Sequence, residues 1–262
     1  MEKILGLGSG DLPIFLLAFF RVTGVMIPAP LFGSGVVPPM VKAFLSVVLA
    51  ILFFPFVGHP SAPIETGLAA YAFLVLQELS VGLLIGFTAA LLFAAIQMGG
   101  QLIDQELGLA TATLLDPVTN EQVSIISQFK LLLATMIYLL IDGHHLLIRA
   151  VADSFRAIPI GWLRIGKGAA THLSDTLVRD LFRMAVQIAA PSIVTLFLIT
   201  IALAFMARAV PEMNIFVLSF SLRVGVGLAV VTLGIGVFVA GVGEALRREG
   251  PGLHRLLVLL GT

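Results

Sequence analysis

Apolar runs fill this chain from Leu12 almost to Ala240, broken by short polar or proline-rich stretches. Several approach or exceed the ~20 residues that a helix needs to cross a bilayer. The first, Leu12–Ile27, follows Gly10-Asp11, where Ser9 or Asp11 offers a cap and Pro13 fits the first helical turn. Four prolines and two glycines between Pro28 and Lys42 forbid a continuous helix there. A second run covers Met40–Val57, and a rigid turn at Gly58–Pro63 separates it from the third, Leu68–Met98, which is too long for one untilted crossing. Val123–Ile141 follows, then an amphipathic stretch at Leu146–Phe155, a turn at Pro159-Ile-Gly-Trp162, and a charged surface helix over His172–Arg183. Met184–Phe205 contains Pro191, which favours a kink, and Ile215–Ala240 is glycine-rich at Gly225, Gly227, Gly234 and Gly236. The pattern predicts an all-α, polytopic membrane protein of about six long apolar, partly kinked helical segments. Residues 1–262 read as a single helical subunit.

The most polar passage between two long runs is Gly99–Asn120. Read as a helix, Gln97, Gln101, Asp104 and Gly108 share one face, while Leu102, Ile103, Leu107 and Ala110 occupy the other. From Gly108 to Thr113 the residues are small or weakly polar. Leu114-Leu115 then precede Asp116-Pro117, where the proline stops the element. Thr119 and Gln122 have the spacing of a capping box that restarts a helix. The segment is either an ordinary extramembrane loop or one folded back, re-entrant and plug-like, into a protein-lined cavity.

Composition narrows the function. With 59% hydrophobic and only 11% charged residues, the chain carries less than half the charge of an average soluble domain, so it is an integral membrane protein. Fifteen basic and fifteen acidic residues cancel, which leaves no electrostatic case for nucleic acid. The absence of cysteine excludes disulfides and thiolate metal sites, and nothing at the N-terminus resembles a cleaved signal peptide. Gly8-Ser9-Gly10-Asp11 matches the G-x-G-D string of intramembrane aspartyl proteases, but a second aspartate within a neighbouring span is missing, so a helix cap is the better account. His144 and His145, being adjacent, should project to different sides of a helix and make poor joint metal ligands. Neither an enzyme, a cofactor, a metal nor a small-molecule substrate is expected.

Charges inside apolar runs are the conspicuous remainder. Arg21, Lys42, Glu78, Lys130 and Arg223 comprise four bases and one acid, so they cannot all pair with one another. Lys42 lies near enough to a helix start to snorkel, and Glu78 is either paired inside the bundle or near an aqueous boundary. The imbalance calls for water, loop acids such as Asp104 or Glu106, or acidic groups on other subunits. Segment 99–122 is acid-only, whereas 142–183 is rich in arginine, which places the latter in the cytoplasm by the positive-inside rule.

Motifs along the chain carry a resemblance. They are Arg21-Val22 with Pro28-Ala-Pro30 and Val37-Pro-Pro-Met-Val-Lys42; Gln77-Glu-Leu-Ser-Val-Gly82 with Ile85-Gly-Phe87; Gly108–Pro117; Asp142-Gly-His144; Ile158-Pro-Ile-Gly161; and Arg208–Phe216. In order and spacing this set resembles the FliR family of flagellar export-gate proteins and its counterpart in type III secretion injectisomes, over nearly the whole chain. The resemblance implies a non-enzymatic gate subunit of the flagellar basal body in the bacterial inner membrane. It would be assembled with FliP and FliQ and contact FlhB, and unfolded substrates would pass through the gate. It further implies that Gly108, Leu109, Ala110, Thr111, Ala112, Thr113, Leu114, Leu115, Asp116 and Pro117 form a plug in the closed channel, and that the gate stands largely above the bilayer plane. A secondary transporter would show related halves, and no internal repeat links the two halves here.

Overall fold

Helices account for the regular structure of residues 11–33, 37–57, 67–109, 124–162, 178–209 and 215–261, which are the residues described by the computed structural model. They are α1 (Leu12–Met26), α2 (Pro39–Phe53, closed by a 3-10 turn over Phe54–Phe56), α3 (Leu68–Leu107), α4 (Ile125–Leu140), α5 (Gly143–Ala157), α6 (Val178–Ala209), α7 (Ile215–Leu233) and α8 (Ile235–Gly261). Prolines set the starts of α1 and α2, where a missing N–H costs nothing. The third apolar run and the amphipathic passage after it form one helix of 40 residues. At 1.5 Å per residue α3 is roughly 60 Å long, twice the hydrocarbon thickness, so much of it must lie outside the lipid core. The helix α6 continues through Pro191, whereas the last apolar run breaks at Gly234 into α7 and α8. Helix α8 carries on through Pro251 to include the arginine-bearing tail.

The chain divides into two compact units. Met1–Leu91, Asp142–Val178 and Leu246–Thr262 make the first; Leu92–Ile141 and Arg179–Ala245 make the second. In the first, Leu17, Val22 and Val25 of α1 are buried with Val81 and Ile85 of α3, Leu147 and Val151 of α5, and Leu253, Leu256 and Leu257 of α8. Helices α1 and α3 meet backbone to backbone. A Cβ on Gly82 would overlap the Arg21 carbonyl oxygen, one on Gly86 that of Val25, and one on Gly24 that of Leu79. Gly82-x-x-x-Gly86 is therefore a close-approach motif, with Gly24 as its counterpart across the contact. In the second unit a smaller core gathers Ile103, Leu107, Ile126, Ala189, Leu196 and Val231.

Outside these cores the helices expose large apolar side chains, including Phe44, Phe197, Phe205 and Leu233. Three helical segments, Pro39–Phe56, Leu68–Leu107 and Val178–Ala209, are long and apolar enough to cross a membrane, and up to five spans result if each of two broken pairs counts as one. Only 22% of the best apolar window in α6 is buried within the chain. The rest must be covered by lipid or by other proteins.

Candidate functional site

The polar centre of the first unit is Arg21, which is wholly buried. Its Nε donates to Glu78 Oε2 at 2.6 Å, and Glu78 is only 1% exposed. Its Nη1 donates to the carbonyl oxygens of Ser154 at 3.0 Å and Ile158 at 2.9 Å where α5 ends; the Ser154 oxygen also accepts the Ile158 N–H that closes the helix. The guanidinium also lies 4.6 Å from the ring centroid of Phe155. The other oxygen of Glu78 accepts the backbone N–H of Gly161 at 2.9 Å. Gly161 takes a φ of +75° in a turn closed by Trp162 N donating to Pro159 O at 3.1 Å, a left-handed conformation that favours glycine. One ion pair thus ties α1 and α3 to the end of α5 and to the turn beyond it. It keeps two charges in a dry interior by satisfying most of their hydrogen-bonding capacity; among the described atoms Arg21 Nη2 meets no acceptor.

The second unit holds the base of the central loop. Helix α3 ends at Leu107 in a full Schellman motif: Gly108, at φ +76°, donates to Gln105 O and Leu109 N donates to Asp104 O. Helix α4 begins beyond the loop at Ser124–Ile125, and its first N–H groups are met by a side chain from α3. Asp104 is buried; its carboxylate accepts from Ile126 N and Ser127 N at 3.1 Å each and from the Ser124 hydroxyl. A carboxylate at a helix N-terminus is also favoured by the helix dipole. Ser127 Oγ donates back to Gln97 O at 2.9 Å, and Gly100 lies so close to Ser127 that a Cβ would overlap its backbone. The two ends of the loop are therefore clasped together. Replacing Asp104 by Ala should leave two buried donors without an acceptor and cost about 1–3 kcal/mol, while Asp104→Asn, which keeps one carbonyl oxygen, should cost less. Thermal unfolding in detergent checks this; equal midpoints for wild type and Asp104→Ala would contradict the clasp.

Of the loop residues expected to act as a plug, Gly108 and Leu109 lie at the end of α3, with Leu109 packed on the second unit's core. Ala110, Thr111, Ala112, Thr113, Leu114, Leu115, Asp116 and Pro117, and the Thr119 cap, lie outside the described residues. The remaining charges are dispersed. Lys42 is half-buried in the first turns of α2. Lys130 is buried on α4, its Nζ 5.0 Å from the ring centroid of Phe238. Arg223 is half-buried on α7, with its Nε enclosed and without a hydrogen-bond partner. The loop acid Asp104 serves backbone N–H groups, not a cation.

The two histidines do not diverge. Asp142 takes a left-handed φ of +58° ahead of α5, and the rings of His144 and His145 lie with centroids 4.2 Å apart, tilted by 36°. A ligating atom from each of Asp142, His144 and His145 lies within 4.8 Å of the others, although Asp142 is already paired with His145 Nδ1 at 3.3 Å. Nothing in the sequence marks Ser154 or Phe155 as partners of Arg21, nor Asp104 as a cap for a helix 20 residues later. The turn at Pro159–Trp162 is legible in the sequence, but its role in receiving Glu78 is not.

Long apolar helices, an ion pair that ties three of them together, and a loop clasped at its base define a polytopic helical membrane protein. The chain belongs to the bacterial export proteins, family 1, whose sequence model matches residues 12–248. It is similar to the flagellar biosynthetic protein FliR of Bacillus subtilis (strain 168), at 30% identity over 253 residues, covering 95% of this chain and 96% of that one. Its likeness to the FliR of Pectobacterium carotovorum subsp. carotovorum is 31% over 224 residues, covering 84% and 83%, and to that of Escherichia coli (strain K12) 28% over 218 residues, covering 83% and 82%.

Proposed function

We propose that this chain is a non-enzymatic subunit of the flagellar type III export gate in the inner membrane, where it stands with FliP, FliQ and FlhB and helps form the passage for unfolded flagellar proteins. In this reading Gly108–Pro117 closes the passage. The observation that carries it is the clasp of Asp104 on Ser124, Ile126 and Ser127. It fixes both ends of the loop, Leu109 and Ser124, at one place, as a short closing element requires. Alanines and glycine keep the segment slim, threonine hydroxyls can satisfy nearby backbone groups, and Leu114-Leu115 can exclude water. The extensive apolar surface of α6 supports a chain built to be covered by neighbours as well as lipid. The relatives' flagellar names favour the flagellar over the injectisome apparatus.

Deleting Ala110–Leu115 should preserve the flanking helices, because the Asp104 clasp and the Gly108-Leu109 end of α3 lie outside the deletion, yet unseal the gate. Influx of a small solute into cells making the deleted protein, compared at equal levels of assembled complex, should rise above wild type. An assembled gate that stays as tight as wild type would show that the loop is not the seal.

A further inference from the structure

Lys130 sits in the second turn of α4 and is 7% exposed. A cavity of about 310 Å³ opens beside it, walled by Phe129, Leu133, Ile188, Val231 and Phe238, with Ser192 among its few polar lining groups. Among the described residues its ammonium meets only the Phe238 ring. The buried acid of the same unit, Asp104, is occupied at the start of α4. A cation–π contact offsets only part of what an ammonium loses on leaving water, so the charge is not compensated by the described residues of the unit.

We propose that the cavity beside Lys130 receives an aspartate or glutamate side chain carried on an apolar helix of another subunit, so that this ion pair is completed only on assembly. The proposal rests on reading the chain as a subunit of an export assembly. Three features favour that occupant. The missing charge is a single negative one. The lysine is almost wholly buried, so its partner must arrive on a slim stem; a carboxylate ends its stem, while a phosphodiester is substituted on both sides of its charge. At the mouth Val237 is 77% exposed, and α6 presents exposed Val194, Phe197 and Leu198 in the turns after the cavity, an apolar surface suited to a helix lying alongside.

The test uses the tagged full-length chain extracted in mild detergent, with co-purified subunits quantified per chain. Lys130→Arg, which keeps the charge, should retain most of the partner. Lys130→Met and Lys130→Glu should lose it by at least about tenfold, since truncating one member of a buried charge pair acts mainly on dissociation. Val237→Trp narrows the mouth without touching the charge and, at so exposed a position, leaves the subunit's own packing intact; it should lower partner yield similarly, and it decides the matter if the Lys130 variants fail to accumulate. Undiminished partner yield with Val237→Trp, or with both Lys130→Met and Lys130→Glu, overturns the inference. So does unchanged partner yield accompanied by loss of a bound phospholipid or fatty acid, read by mass spectrometry. A wild-type chain that elutes alone removes the export-assembly reading and this inference together, whereas wild-type assembly with indifferent variants removes this inference only.

Discussion

Glu78→Leu should be among the most damaging single substitutions, costing roughly 3–5 kcal/mol, because it leaves Arg21 charged and buried with no anion. The Gly161 N–H would lose its acceptor in the same stroke. Glu78→Gln keeps one oxygen acceptor, for either the Arg21 Nε–H or the Gly161 N–H, and should cost less. The double variant Arg21→Met/Glu78→Leu should be more stable than the sum of its single variants, since the unpaired charge is gone, although the Ile158 carbonyl would lose its Arg21 donor and that of Ser154 would keep only the Ile158 N–H. The fraction of chain surviving heating as a monodisperse species in detergent reports all four. A Glu78→Leu protein as heat-resistant as wild type would show that the pair is not a structural clamp.

Gly82→Leu is the second. The Cβ alone would overlap the Arg21 carbonyl oxygen, and since the obstacle is backbone, no rotamer change relieves it. Even Gly82→Ala should cost about 1–3 kcal/mol by forcing α1 and α3 apart, and Leu more. Gly225 is the control: a Cβ there meets nothing within 4 Å, so Gly225→Ala should be neutral or slightly stabilising through helix propensity alone. Comparable losses at both positions would mean that glycine content, not the close approach, matters.

These two sites show how far the sequence could be read. Apolar runs and proline punctuation report local physics, and they locate the helices; the spacing of Gly82 and Gly86 likewise marks a face able to approach another backbone. The partner of that face is not local, so Gly24 is not legible as its counterpart. The same limit applies to charge. Arg21 and Glu78 stand out as ionisable groups in apolar runs, but 57 residues separate them, and only the packing of α1 on α3 brings them together. The polarity of Asp104 is visible as part of an amphipathic helix face; its use as the cap of α4 depends on the loop returning beside its own start. The left-handed Asp142 ahead of α5 is a backbone state that no side-chain periodicity reveals. Hydropathy also cannot say whether an apolar face of α6 meets lipid or protein, because both reward the same residues.

The composition of the complex extracted in mild detergent tests the central claim most directly. With the tag on the full-length chain at its native level, the account predicts elution well above the size of the 27.8 kDa chain, together with other small polytopic membrane proteins of the flagellar apparatus. A chain that elutes alone, folded and monodisperse, from cells whose flagellar export is intact would contradict it.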